Sequence, residues 1–365
     1  SELLADGYES WPNWRGGTGQ GHSFGATPPL EWSDESNIKW KTKVDGLGFS
    51  TPVIWEDTIY LLTAIADENA PSKGVTQGGG PGGGRQGSPR GGQRSQGGRP
   101  GLGGFDREAL IKEFDKDGDG ELSEMERKAL RSEIRSRRGD PASAVAKPWQ
   151  LKNHPKQQFK VMAIDRNSGD IKWERLAVEA APHEGHHPTN SFASYSPVTD
   201  GERLYVSFGS RGIYCYDLNG NLIWEKNLGN MRTRVGFGEG SSPALAEDKL
   251  ILLWDHEDQS YIVALDKNSS EEVWRRDRDE RTSWTTPHIQ EVDGRLQVIV
   301  AGTKATRSYD AETGELIWEA QGLTANVIST PVVGHENVYV ASRNQGRSIQ
   351  AINSSANGAV CNTGE

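Results

Sequence analysis

The stretch MAIDRNSGDIKW, Met162 to Trp173, decides the fold, because it comes back four times further along the chain. It returns as YCYDLNGNLIW (Tyr214 to Trp224), VALDKNSSEEVW (Val263 to Trp274) and RSYDAETGELIW (Arg307 to Trp318), and in decayed form as QAINSSANGAVC (Gln350 to Cys361). The Asp falls at 165, 217, 266 and 310, with Asn353 fifth, so the steps are 52, 49, 44 and 43 residues. A second phrase, Ser or Thr followed by Pro, keeps the same phase at Thr51-Pro52, Ser196-Pro197, Ser242-Pro243, Thr286-Pro287 and Thr330-Pro331. Proline lacks a ladder donor and belongs at the first residue of a strand. Apolar runs such as LYVSF (Leu204 to Phe208) and QVIVAG (Gln297 to Gly302) follow.

Each unit therefore holds four short strands: one after Ser/Thr-Pro, one apolar, one ending in Asp and one ending in Trp. The Asp-x-x-Ser/Thr-Gly link suits a tight hairpin, because Asp caps the turn and Gly takes positive φ. The Trp that closes a unit can pack between neighbouring sheets. Four-stranded units at this period predict an all-β chain, a β-propeller, with five blades between Trp40 and Cys361. Trp40, in NIKWKTKV, reads as the end of a fourth strand with no first three before it. The ring is then small or incomplete at the C-terminus; the second reading is preferred, since the fifth phrase already supplies its own closing strand.

Composition agrees. There are 44 Gly and 12 Trp in 365 residues, which fits many short strands and tight turns. No apolar run reaches the length of a membrane-spanning helix, and no leader is visible before Ser1. Two cysteines exclude a disulfide scaffold and a cysteine zinc ribbon. The net charge of −10 argues against general nucleic-acid binding.

Blade one is interrupted. Its apolar strand TIYLLTAI (Thr58 to Ile65) is separated from KVMAID (Lys160 to Asp165) by a long insertion. Residues 67–104 read as a Gly/Arg-rich flexible linker. Residues 105–138 read as helix–loop–helix, and 139–158 as a return linker; the propeller takes 1–66 and 159–365. The loop FDKDGDGELSEME (Phe114 to Glu126) carries the EF-hand pattern. Asp115, Asp117 and Asp119 alternate, Gly120 permits the bend, Glu121 offers its carbonyl, Ser123 can hold a water and Glu126 can bind with both oxygens. One Ca²⁺ is expected there.

In antiparallel blades the second-to-third loops and the blade-to-blade loops share one face, from which the insertion also emerges. HEGHHPTN (His183 to Asn190), VGFGEGSS (Val235 to Ser242), DERTSWTT (Asp279 to Thr286), LTANVIST (Leu323 to Thr330) and WDHEDQS (Trp254 to Ser260) fall on it. The candidate ligand-binding residues are His186, His187, Asn190, Glu239, Asp255, His256, Trp284 and Asn326. They combine groups that titrate near neutrality with aromatic surface. His183, His186 and His187 also form a weak zinc pattern. The competing expectation is that loops are polar because they meet water.

The phrases Ala-x-Asp-x-x-Ser/Thr-Gly-x-x-x-Trp resemble the repeats of PQQ-like, or quinoprotein-like, β-propellers. WPNWRGGTGQGHS (Trp11 to Ser23), EGHHPTN, GFGEGSSPAL and WDHEDQSYIVALDK look like the extracytoplasmic members of that family. The resemblance covers the chain apart from the insertion and implies a periplasmic or secreted protein. One branch of the family implies a PQQ-dependent dehydrogenase of alcohols or sugars, with Ca²⁺ and an Asp base. That branch often shows adjacent cysteines, and none adjoin here. The other branch, similar to the outer-membrane assembly lipoprotein, implies a non-catalytic scaffold with an unknown protein or small-molecule partner. The scaffold is the preferred reading, the quinoprotein oxidoreductase the alternative.

Overall fold

The structure is a computed structural model that describes residues 10–23, 26–67 and 154–360. The EF-hand positions Asp115, Asp117, Asp119, Glu121, Ser123 and Glu126, and the linkers around them, lie outside the described residues. The propeller belongs to a unit made of residues 1–73 and 149–365.

Strands β1 (Val53–Trp55), β2 (Thr58–Ala66), β3 (Gln157–Asp165) and β4 (Ile171–Ala180) form the first antiparallel sheet in chain order. The second holds β5 (Val198–Thr199), β6 (Arg203–Ser207), β7 (Ile213–Asp217) and β8 (Leu222–Lys226). The third holds β9 (Ala244–Ala246), β10 (Lys249–Trp254), β11 (Ser260–Asp266) and β12 (Glu272–Arg278). The fourth holds β13 (His288–Val292), β14 (Arg295–Ala301), β15 (Ala305–Asp310) and β16 (Leu316–Gln321). The fifth has three strands, β17 (Val332–Gly334), β18 (Asn337–Ser342) and β19 (Ser348–Asn353). First strands of successive blades lie side by side, β1 on β5, β5 on β9 and β9 on β13. The chain is a β-propeller of four-stranded blades.

The repeated residues are the joints between blades. Each Asp receives backbone N–H groups of its own turn; Asp165 Oδ1 accepts from Asn167 at 2.8 Å and Ser168 at 2.9 Å. The carbonyl one residue after each Asp accepts an indole N–H from the blade before: Trp173 to Leu218 at 3.0 Å, Trp224 to Lys267 at 3.0 Å and Trp274 to Ala311 at 3.0 Å. The turn glycine is needed for contact as well as for φ. A Cβ on Gly314, at φ +71°, would stand 2.6 Å from Trp274. The Ser/Thr-Pro hydroxyls make a second chain of joints: Thr51 N–H donates to Ser196 Oγ (2.8 Å), Ser196 N–H to Ser242 Oγ (2.9 Å) and Ser242 N–H to Thr286 Oγ1 (3.2 Å).

Trp40 occupies the same joint without a strand around it. Its indole donates to the Arg166 carbonyl at 2.9 Å, and Gly169 lies against its ring. Trp274 and Trp318 are buried, whereas Trp173 and Trp224 are half-buried. The expected closing strand of blade five is a correction. Segment β20 (Gly358–Val360) leaves its own blade and pairs in parallel with β16, Trp318 opposite Gly358. In the decayed phrase Asn353 stands in place of the Asp and accepts the Ser355 N–H at 2.9 Å, but the buried Trp318 indole N–H finds no acceptor.

The insertion departs from β2 and returns on β3, whose ends Ala66 and Gln157 are paired. Asp67 N–H continues the ladder to the Lys156 carbonyl at 3.0 Å.

Candidate functional site

The loops between blades and the second-to-third loops meet on one face, as antiparallel strands require. Arg211, between β6 and β7, bonds the Ala181 carbonyl of the β4–β5 loop (3.2 Å) and Asn230 Oδ1 of the β8–β9 loop (2.6 Å). Lys304, between β14 and β15, pairs with Asp279 of the β12–β13 loop at 2.9 Å.

At the centre of one cluster lies Glu239. Its carboxylate accepts the Tyr195 hydroxyl at 2.9 Å, and the Ser210 N–H at 2.8 Å and hydroxyl. Tyr195 is held well above the usual phenol range, first by burial and then by that carboxylate. Glu184 accepts the Thr233 N–H at 3.0 Å and its hydroxyl. His183 lies between the two acids. Its Nε2 is 2.6 Å from the Met231 carbonyl and its Nδ1 3.2 Å from Arg211 Nη2. A carbonyl only accepts and a guanidinium only donates, so the proton sits on Nε2. Ligand atoms of His183, Glu184 and Glu239 all lie within 4.8 Å of one another, close enough to share a cation once His183 gives up a ring nitrogen now engaged with Met231 or Arg211. The cavity they line, with Phe159, Phe192 and Phe208 as apolar wall, is about 30 Å³, room for one or two waters.

Burial pushes the Glu184 carboxyl up to about 7 from 4.5, with Glu239 nearby adding to it. The folded protein thus keeps a proton that the unfolded chain releases near pH 4.5. This stability is complete below pH 4.5 and is lost as pH rises towards 7. Urea unfolding between pH 4.5 and 8 should show that decline, on the order of 1–3 kcal/mol. Glu184→Gln should flatten it; a slope unchanged in the variant refutes the assignment.

Of the eight residues expected on the ligand-binding face, the structure brings one, Glu239, into this cluster. Most of the others make hydrogen bonds within or between loops. His186 Nδ1 is 2.9 Å from the His187 carbonyl, and its ring stands edge-on to Phe192 at 4.5 Å. His187 Nδ1 contacts Thr189 Oγ1 at 2.8 Å. Asn190 donates to the Phe237 and Glu239 carbonyls, both at 3.0 Å. The Trp284 indole donates to the Gly238 carbonyl at 2.7 Å. His256 is buried, with Nε2 3.0 Å from the Gln259 carbonyl. Asn326 sits at φ 59°, its Oδ1 buried without a partner. Asp255 is fully buried in a two-pronged pair with Arg278, at 2.8 and 3.1 Å, and accepts the Ser283 hydroxyl at 2.7 Å. Its side chain is closed off from solvent. The three histidines of the zinc pattern do not converge; among the described residues the group spaced for a cation is His183, Glu184 and Glu239.

Tyr195, Ser210 and Thr233 were not legible as site residues. Tyr195 precedes a Ser-Pro joint and Ser210 lies in a second-to-third loop, so topology alone pointed to them.

A family model described as outer membrane protein assembly factor BamB matches residues 157–257 and 258–360, more than half of the chain. A protein of that name from Shewanella oneidensis is 23% identical over 187 residues, covering 50% of this chain and 43% of its own length. The chain thus spans less than half of that curated relative. Among solved structures, BamB from Moraxella catarrhalis is similar at 19% identity and TM-score 0.38, over 56% of this chain and 59% of that one. The quinohemoprotein alcohol dehydrogenase of Comamonas testosteroni is similar at 11% identity and TM-score 0.42, over 58% of this chain and 42% of that one. By the extent of the family match, together with the Asp-turn and Trp joints that recur from blade to blade, the chain belongs to the PQQ-like β-propeller repeat family of the BamB type.

Proposed function

We propose that the chain is an extracytoplasmic, non-catalytic binding and scaffold propeller, which takes a protein or small-molecule partner on its loop face and carries one Ca²⁺ on its inserted EF-hand. The observation that supports this is the commitment of the loop-face carboxylates. Asp255 is locked to Arg278, and Glu239 to Tyr195 and Ser210. Side chains used in this way make a rigid recognition surface on a fixed scaffold. The name of the family model, an outer membrane assembly factor, supports a protein partner and a place outside the cytoplasm. No helix among the described residues is long and apolar enough to cross a membrane.

The scaffold reading is tested with a photo-crosslinker at the exposed Arg281 on the loop face, and, as control, at the exposed Ile223 on an outer strand. Adducts in a cell-envelope extract are expected from position 281 and not from 223; the reverse pattern refutes the loop face. Full-length protein supplied with PQQ and Ca²⁺ should not reduce a dye with alcohols or aldoses. Turnover would make it an oxidoreductase.

The calcium proposal rests on Asp115, Asp117, Asp119, the Glu121 carbonyl, Ser123 through water and Glu126. Calorimetry should show one Ca²⁺ per chain, and Glu126→Gln should weaken it by more than about tenfold, since the bidentate ligand is lost. Negligible heat in both proteins would remove calcium from the proposal.

A further inference from the structure

Residues 11–20 run across the inner strands of the propeller. Trp11 exchanges two backbone hydrogen bonds with Ile54 of β1, at 2.8 and 2.9 Å. The Pro12 carbonyl accepts from Thr199 N–H of β5 at 2.9 Å. The Trp14 indole donates to Thr330 Oγ1 at 3.2 Å, and Gln20 joins His288 of β13 and the Val333 N–H of β17, both at 3.2 Å. The segment is therefore fastened to blades one, two, four and five.

Between this segment and the first strands of blades two, three and four lies a cavity of about 220 Å³. That exceeds the roughly 150 Å³ of an apolar cavity able to admit benzene. Its walls are largely hydrocarbon, from Trp14, Val198, Pro243, Leu245, Pro287 and Ile289. Among the described residues a single charged side chain, Arg15, lines it, and no acid does. Arg15 Nη1 is buried and has no hydrogen-bond partner. His288, also on the wall, is pushed down to about 4, by burial first and with Arg15 acting in the same direction, and so adds no charge at neutral pH.

A guanidinium donor shielded from water without an acceptor is costly, and its best partner is a carboxylate held by two parallel bonds. Hydrocarbon walls reward an apolar body on the same molecule. We propose that this cavity binds a small carboxylate with a compact apolar body, its oxygens on Arg15 and its body among the prolines and aliphatic side chains. The site lies on the inner strands and is independent of the loop-face cluster.

The probe is benzoate, titrated by calorimetry into the full 365-residue chain, with neutral benzamide and inorganic phosphate in parallel. Benzoate should bind, and benzamide at least about tenfold more weakly, because it leaves the guanidinium without an anion. Arg15→Gln should lose benzoate by about tenfold or more, and Arg15→Lys, which keeps the charge but not the fork, should fall between. Because Nη1 bonds to nothing in the free protein, Arg15→Gln should unfold at the same temperature as wild type or higher. Benzoate should raise the midpoint of wild type only. Equal binding of benzoate and benzamide, full benzoate binding by Arg15→Gln, or binding of phosphate alone would each overturn the proposal. If Arg15→Gln unfolds early, Arg15 is structural; a benzoate affinity unchanged in Arg15→Lys then also counts against it.

Discussion

Asp255→Ala should destabilise the propeller by about 3–5 kcal/mol, the usual result of removing one partner from a buried ion pair. Both side chains are at 0% exposure, so truncation leaves the Arg278 guanidinium buried against an empty space. The pair is embedded in a wider network. Arg278 also donates to the Tyr309 hydroxyl at 2.7 Å and stacks near its ring. Two residues beyond the end of β12, Glu280 accepts from Arg307 at 2.7 Å and from the Lys304 and Ala305 N–H groups. Blades three and four are thereby tied at their loop-face ends. Arg278→Met alone should cost a similar amount, because it strands the carboxylate. The double variant Asp255→Leu/Arg278→Met should recover most of the loss, since well-packed apolar groups replace a buried pair at little cost. Urea unfolding of the four proteins measures this. Additive losses in the double variant would mean that the two residues act separately.

Trp274→Ala should cost about 3–5 kcal/mol as well, by a different mechanism. The indole is 6% exposed, packs on Gly314 and donates to the Ala311 carbonyl of the next blade. Its removal opens a void at the joint between blades three and four and leaves that carbonyl without a donor. Trp224→Ala, at a half-buried joint, should cost less. The order Trp274 above Trp224 is the checkable outcome; equal losses would show that the joints do not depend on burial. Gly314→Ala probes the same contact from the other side, and should destabilise because the new Cβ meets the ring at 2.6 Å in a backbone conformation of positive φ.

The blades were legible in the sequence for a local reason. A turn that begins with Asp and ends with Gly, between two apolar strands, is settled by hydrogen bonds within a dozen residues. Asp165 gathering the Asn167 and Ser168 N–H groups ahead of Gly169 is one case. Repetition then multiplied a weak local signal until it indicated a propeller. The position of Trp40 in the series was legible on the same grounds, though its surroundings were not. So was the sharing of one face by two classes of loop, since it follows from strand direction alone.

Which loop side chains meet was decided only by the tertiary structure. Asp255 and Arg278 are 23 residues apart, Glu239 and Tyr195 44, and Glu184 and Thr233 49. A loop carboxylate reads alike in sequence whether it faces solvent or a guanidinium, because burial and partner come from other blades. Most of the hydrogen bonds of the expected rim residues go to other loop atoms, which their sequence positions do not reveal. The Ser/Thr-Pro phrase shows both sides. Proline explained where a strand begins, while the hydroxyl's role, receiving the N–H of the previous blade, appears only when blades stand together. Arg15 is the extreme case: nothing in TrpArgGlyGly marks a ligand, and its charge matters because strands some 180 to 270 residues further on build apolar walls around it.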